Sequence, residues 1–233
     1  TCALPILKSI LSITAVGAAD RESGKPMRAD SMFWIASQSK PITAAAVMIL
    51  VDEGRITLDD PVEKYLPEFR GLMAVAEKDE QHVLLKKPER PITVRQTLAH
   101  TSGMPFRSAQ EVPVLDRLSL ADRVRSYAMT PLDFVPESRY QYSNAGINTA
   151  ARIVEVVSGL PFEQFLAERL LQPLGMLETT FWPDEAQAAR IATAYRPGAG
   201  GIGLEATKIE QLQYPLTDRL QRTAMPEIGR AHV

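Results

Sequence analysis

The chain has 233 residues, enough for one large domain or two small ones. It is 45% hydrophobic and 23% charged with a formal net charge of -2, the profile of an ordinary globular protein without the basic face that nucleic acid requires. No apolar run reaches the roughly 18 residues of a transmembrane helix. The single cysteine, Cys2, excludes an internal disulfide and a Cys-based metal site, and His82, His100 and His232 lack ligand spacing, so no metal or other cofactor is expected.

Both termini can be encoded by one DNA word read in opposite orientations. ACGTGTGCTCTTCCGATC gives Thr-Cys-Ala-Leu-Pro-Ile, the first six residues, and its reverse complement gives Ile-Gly-Arg-Ala-His-Val, the last six. The word resembles a common sequencing-library adapter. Residues 1–6 and 228–233 are therefore expected to be translated adapter flanking one partial domain over residues 7–227, and Cys2 carries no redox argument. The apolar start up to Val16 is not an export signal, because Lys8 interrupts it and no basic region precedes it.

Along the remaining chain, residues 13–19 read as a strand followed by a turn over Glu22-Ser-Gly-Lys-Pro26. Residues 37–53 read as a strong helix. Pro41 sits in its first turn, where a missing N–H is harmless, Ala44, Ala45, Val47, Met48, Leu50 and Val51 give a broad apolar face, and Gly54 stops it. Asp59-Asp-Pro61 opens a short turn that ends at Pro67, and residues 77–90 read as a charged, irregular surface excursion. Further helices are expected over 93–99 with Thr93 as cap, 119–129 capped by Ser119, 144–158 ended by Gly159, 161–171 with Pro161 first, and 184–194. Gly198-Ala-Gly-Gly-Ile-Gly203 lacks the strand-then-helix context of a phosphate-binding motif and reads as a loop. Helices dominate, which suggests that a sheet partner is missing.

Three segments carry candidate chemistry. In Ser37-Gln-Ser-Lys40 the first and last residues lie three apart, on one face of a helix, which brings the Lys40 nitrogen to the Ser37 hydroxyl. A serine hydroxyl attacks only when a neighbouring base takes its proton, and a lysine can serve if its surroundings favour the neutral amine. The helix start offers N–H groups to a developing anion. By itself a Ser-x-x-Lys string is common in a chain of this length and equally describes a capping serine before a solvated lysine. The second segment is Tyr140-Gln-Tyr-Ser-Asn144 before a helix, which by itself describes a core aromatic followed by an Asn144 helix cap as well as a chemical site. The third, Leu98-Ala-His-Thr-Ser-Gly-Met104, invites a His100–Ser102 pair but is better read as a helix end held by side-chain hydrogen bonds and a glycine turn.

The string from Phe33 through Ser37 and Lys40 to Gly54 and Pro61 resembles the active-site helix of class C β-lactamases and their esterase and carboxypeptidase relatives. Tyr142-Ser143-Asn144 is similar to the Tyr-x-Asn motif of that branch, in the right order; Tyr140 is two residues early. The resemblance extends through His100-Thr-Ser-Gly103, Phe162–Leu174 and Gly175–Pro183 and covers nearly all of residues 7–227. It implies an α/β (α+β) fold of the serine β-lactamase/transpeptidase type, with the helical region largely present and most of the antiparallel sheet outside this chain. It implies Ser37, Lys40 and Tyr142 as catalytic and Asn144 as substrate-binding. The substrate would be a small-molecule or peptide acyl compound: an ester, a β-lactam or a D-amino-acid peptide, with esters slightly favoured. Members of the family are often exported.

One departure matters. The family carries a third motif, Lys-Thr-Gly or His-x-Gly, on a sheet strand that completes the oxyanion hole, and no such motif follows Tyr142. The chain as it stands is therefore expected to be inactive. A non-catalytic binding or scaffold member of the same fold is the alternative reading, and cell-wall peptide processing is the rival to ester hydrolysis.

Overall fold

The structure is a computed structural model and describes residues 2–6, 9–208, 212–223 and 229–231. His232, the ends of the expected partial domain at Leu7 and Glu227, and part of each terminal segment lie outside the described residues. The strands are β1 (Cys2–Ile6), β2 (Ser9–Thr14), β3 (Ala18–Asp20), β4 (Lys25–Pro26), β5 (Phe33–Ala36), β6 (Ala74–Lys78), β7 (Val83–Lys86), β8 (Tyr195–Pro197), β9 (Leu204–Ala206) and β10 (Gly229–Ala231). They form five separate two-stranded antiparallel sheets, β1–β2, β3–β4, β5–β10, β6–β7 and β8–β9. The helices are α1 (Ser39–Asp52), α2 (Val94–Leu98), α3 (Leu120–Ala128), α4 (Asn144–Ser158), α5 (Phe162–Leu166) and α6 (Glu185–Ala188). Among the described residues no helix is long and apolar enough to cross a membrane.

Helix α4 is the centre of the helical region. Every residue from Asn144 to Ala151 is buried, as are Ile153 and Val154, and α1, α2, α3 and α5 all pack against it. Its first half can be enclosed because it is built of small residues. Ala145, Gly146, Ala150 and Ala151 present almost no side-chain bulk, so neighbouring helices approach its backbone closely. The neighbours supply the volume: Val47 and Leu50 from α1, Val94 from α2, Val124 and Tyr127 from α3, Phe162 and Phe165 from α5, all in one continuous core. Burying each large apolar side chain contributes about 1.5–3 kcal/mol, so this cluster is the main source of cohesion for the region.

Local signals fix the helix ends. Thr93 caps α2 in a reciprocal capping box with Gln96, and Ser119 caps α3 by accepting the Asp122 N–H. Gly54 and Gly159 follow α1 and α4 with φ of 70° and 78°, the left-handed conformation that closes a helix and that glycine adopts without steric cost.

Several expected elements differ from those observed. The strand expected over residues 13–19 is broken: β2 ends at Thr14 and β3 begins at Ala18, with a bend at Gly17, φ 81°, between them. The excursion over residues 77–90 does lie on the surface, but up to residue 86 it is regular and only residues 87–90 follow the expectation. β6 and β7 make a hairpin whose turn is held by the Asp79 carboxylate, which accepts the N–H groups of Gln81 and His82 at 2.7 and 2.6 Å. The helix expected over 161–171 is α5 continued by a π-helical turn, Ala167–Leu171, and Pro161 is its cap rather than its first residue. The helix expected over 184–194 stops after Ala188. Its continuation is drawn into an extended bridge, with the Ala192 N–H donating to the Met32 carbonyl at 2.9 Å. The Gly198–Gly203 segment is a loop, joining β8 to β9.

Helices α2 and α4 approach each other closely at Gly146. A Cβ at Gly146 would come within 2.7 Å of the Thr97 carbonyl oxygen, and both groups are backbone-anchored. Gly146→Ala is therefore expected to destabilise the protein by about 1–3 kcal/mol, the cost of overpacking, despite alanine's better helix propensity. A lower urea midpoint at unchanged slope checks this; an unchanged or raised midpoint would show that α2 and α4 can move apart freely.

Candidate active site

Strand β5 delivers the chain to the candidate nucleophile. At its end Ala36 has φ 45°, an uncommon conformation for a residue with a side chain and one that costs about 1 kcal/mol or more. It turns the backbone sharply into Ser37. The bend is held by hydrogen bonds: the Gln38 N–H donates to the Ile35 carbonyl at 3.0 Å, the Lys40 N–H to the Ser37 carbonyl at 3.1 Å, and the Ser39 hydroxyl to the Ala36 carbonyl at 2.7 Å. Regular helix begins at Ser39, so Ser37 stands on the turn before α1 rather than within it. The expected pairing holds nonetheless. Lys40 Nζ donates to Ser37 Oγ at 3.0 Å. Ser37 is exposed, whereas Lys40 is only 6% exposed, so a solvent-facing hydroxyl is backed by a buried nitrogen.

The second segment enters from the start of α4. Lys40 Nζ lies 4.7 Å from the centre of the Tyr142 ring, within the range of a cation–π contact. Ser37, Lys40 and Tyr142 are thus brought together from two elements about a hundred residues apart. The helix cap is Ser143, not Asn144. The Ser143 hydroxyl accepts the Gly146 N–H at 3.0 Å and donates to the Pro105 carbonyl at 2.6 Å. Asn144 is the first residue inside the helix, tied by its N–H to the Phe106 carbonyl at 3.1 Å. Its side chain is therefore not spent on capping. It is 2% exposed, and its Oδ1 is buried without a partner among the described residues. An unsatisfied buried acceptor costs about 1–3 kcal/mol.

His100 does not pair with Ser102. Ser102 Oγ accepts the Met104 N–H at 3.3 Å, the turn contact expected of a structural segment, and Gly103 at φ 80° leaves no room for a side chain beside the Phe134 carbonyl. His100 itself turns towards the α4 start. Its carbonyl accepts the Gln141 N–H at 2.9 Å, its Nδ1 accepts the Ser143 N–H at 3.1 Å, and its ring lies 4.8 Å from that of Tyr142. Phe106 stacks near the same tyrosine at 6.2 Å. Sequence reasoning missed both neighbours of Tyr142. Only the proximity of the His100 segment to a candidate motif in three dimensions links them, and no periodicity reports that.

Among the described residues, no group of three or more His, Cys, Asp or Glu side chains is placed to hold a metal.

The family model described as Beta-lactamase matches residues 9–214, and the chain belongs to the beta-lactamase family. Among curated proteins it is similar to esterase EstB of Burkholderia gladioli, 36% identical over 201 residues that make up 81% of this chain and 48% of that protein. It is similar also to penicillin-binding protein 4 of Amycolatopsis lactamdurans, 32% identical over 212 residues, 91% of this chain and 50% of that protein. The chain thus spans about half the length of these relatives. Among solved structures it superposes on EstCE1, described as a hydrolase with promiscuous acyltransferase activity, with a TM-score of 0.77 and 28% identity, over 95% of this chain and 60% of that one. The fold is that of the β-lactamases and transpeptidases, as the resemblance implied.

The Ser143 cap holds the candidate site to the helical core. Ser143→Ala should lower stability by about 1–2 kcal/mol, the usual cost of removing an N-cap. Ser143→Thr, which keeps both the acceptor for the Gly146 N–H and the donor for the Pro105 carbonyl, should recover part of it. Equal unfolding midpoints for wild type and the alanine variant would contradict the capping role.

Proposed function

We propose that the chain is part of a serine hydrolase in which Ser37 forms an acyl-enzyme. The observation that carries this is the 3.0 Å contact between the exposed Ser37 hydroxyl and the buried Lys40 nitrogen, with the Tyr142 ring packed over that nitrogen. In the amine form, Lys40 takes the Ser37 proton as Oγ attacks the acyl carbon. The resulting oxyanion is met by the Ser37 backbone N–H, because the N–H groups of Gln38 and Lys40 are already held by the Ile35 and Ser37 carbonyls. Tyr142 passes a proton to the leaving group as the bond to it breaks, and the Asn144 Oδ1 accepts a hydrogen bond from the substrate or from Lys40. The proton that Tyr142 delivers is the one Lys40 took from Ser37; water then attacks the acyl carbon, gives a proton to Lys40, and Lys40 returns it to Ser37 Oγ as the carboxylic acid leaves.

An ester is the favoured substrate class, supported by the similarity to a protein named an esterase over most of this chain. The similarity to a penicillin-binding protein keeps peptide substrates as the second reading. A scaffold role for the same fold is the reading without chemistry. Because no Lys-Thr-Gly or His-x-Gly string follows Tyr142 in these 233 residues, steady turnover by this chain is not expected.

A fluorophosphonate probe separates these readings. It should modify the folded chain at Ser37, leave Ser37→Ala unmodified, and react at least about 100-fold more slowly with Lys40→Met, in keeping with the contribution of a general base. Peptide mapping that finds no adduct on folded protein, or an adduct on another serine, would favour the scaffold. Sustained p-nitrophenyl ester turnover that disappears in Ser37→Ala would overturn the expected inactivity.

A further inference from the structure

His100 lies beside the Ser37–Lys40–Tyr142 group without belonging to it, and its geometry is specific. It follows helix α2 with φ 60°, a left-handed conformation that only a few side-chain-bearing residues tolerate. In that conformation it makes two hydrogen bonds to the segment that carries Tyr142: its carbonyl takes the Gln141 N–H and its Nδ1 takes the Ser143 N–H. Its ring meets Tyr142 at 4.8 Å and Tyr140 edge-on at 5.8 Å. An imidazole nitrogen accepts a hydrogen bond only when it is unprotonated, so the Ser143 contact selects the neutral ring with its proton on Nε2.

We infer that His100 is a positioning residue whose neutral imidazole, through Nδ1, holds Tyr142 and the start of α4 against Lys40, and that protonating it releases them. This rests on the reading of Ser37 as nucleophile only for its effect on reactivity; the positioning itself does not. The groups around the ring are consistent with a neutral state. Lys40 faces it from α1, and Tyr140 and Tyr142 from its own partner segment. The carboxylates of the surrounding elements are engaged elsewhere, Glu137 by the Gln96 amide at 2.9 Å and Asp133 by the Gln141 amide at 2.5 Å. Burial first, and the Lys40 charge second, push His100 below the ordinary imidazole value of 6.5. The sign follows. A histidine with a lowered value in the folded state binds fewer protons than in the unfolded chain, so its contribution to stability is complete above about 6.5 and is lost as the pH falls through the lowered value.

Two substitutions isolate the Nδ1 contact. Asparagine tolerates the left-handed backbone and can place an acceptor near Nδ1 but does not titrate; glycine keeps the backbone and removes the acceptor. Fluorophosphonate labelling rates should be measured from pH 8 to pH 5 on folded wild type, His100→Asn and His100→Gly. At pH 8 the Asn variant should react within about threefold of wild type and the Gly variant at least tenfold more slowly. The ratio of Asn variant to wild type should rise at least threefold by pH 5. A flat ratio, or a Gly variant as fast as wild type, would overturn the inference. If wild type is not labelled at all, the nucleophile reading fails and NMR decides the positioning separately. The His100 nitrogens, assigned by their loss in His100→Asn, should show a bare Nδ1 at pH 8, and the Tyr142 ring signals should titrate in step with His100. A protonated Nδ1 at pH 8, or Tyr142 signals indifferent to His100 titration, would refute it.

Discussion

The structure depends on the burial of the first two turns of α4. Residues Asn144 to Ala151 are enclosed on all sides, which is possible only because Ala145, Gly146, Ala150 and Ala151 let α1 and α2 come close to the helix backbone. A buried helix start leaves N–H groups that water cannot reach. Ser143 answers that need by capping, and in doing so it fixes where the preceding and following residues must stand. Tyr142 is placed over Lys40, and Asn144 is turned inwards with its acceptor unspent. The chemistry proposed for this site is thus a by-product of how a small-residue helix is enclosed, and the contact between α1 and α4 is what makes two distant motifs one site.

The two halves of that site are held in different ways. Ser37 sits on a turn that begins with a strained Ala36 and is pinned by short local hydrogen bonds. These hydrogen bonds all lie within residues 35–40. Tyr142 is held at long range, by the α4 cap and by the rings of His100 and Phe106. Local strain with exposure suits the nucleophile role proposed for Ser37, whereas long-range support makes the tyrosine sensitive to anything that shifts α2 or α4. Strain of this kind is common where backbone geometry serves a reacting group.

Much of this was legible in the sequence, for reasons that differ by residue. The caps at Thr93 and Ser119 and the stops at Gly54 and Gly159 are local chemistry, written in a few adjacent residues, and all four stand where expected. The Ser37–Lys40 contact follows from a three-residue spacing that a helical turn enforces even before regular helix begins. The second motif was legible by its resemblance to a family, but the division of labour between Ser143 and Asn144 was not. Both are good caps, and only the burial of α4 decides between them. The hairpin over β6 and β7 was hidden because its charged flanks and exposed apolar strand show no alternation. The shortening of α6 was hidden because a bridge between Met32 and Ile191, more than 150 residues apart in the chain, outweighs local helix preference. The structural turn at His100 is legible in its neighbours; the second face of the residue, towards Tyr142, exists only in three dimensions.

The central claim is that the turn before α1 and the start of α4 form a single energetic unit at Lys40 and Tyr142. A double-mutant cycle on Lys40→Met and Tyr142→Leu, read by urea unfolding, tests it without requiring turnover. The account expects a coupling of at least about 0.5 kcal/mol, the range seen for residues in contact. Effects that add to within about 0.3 kcal/mol would show that the two motifs are neighbours without being partners, and would contradict it.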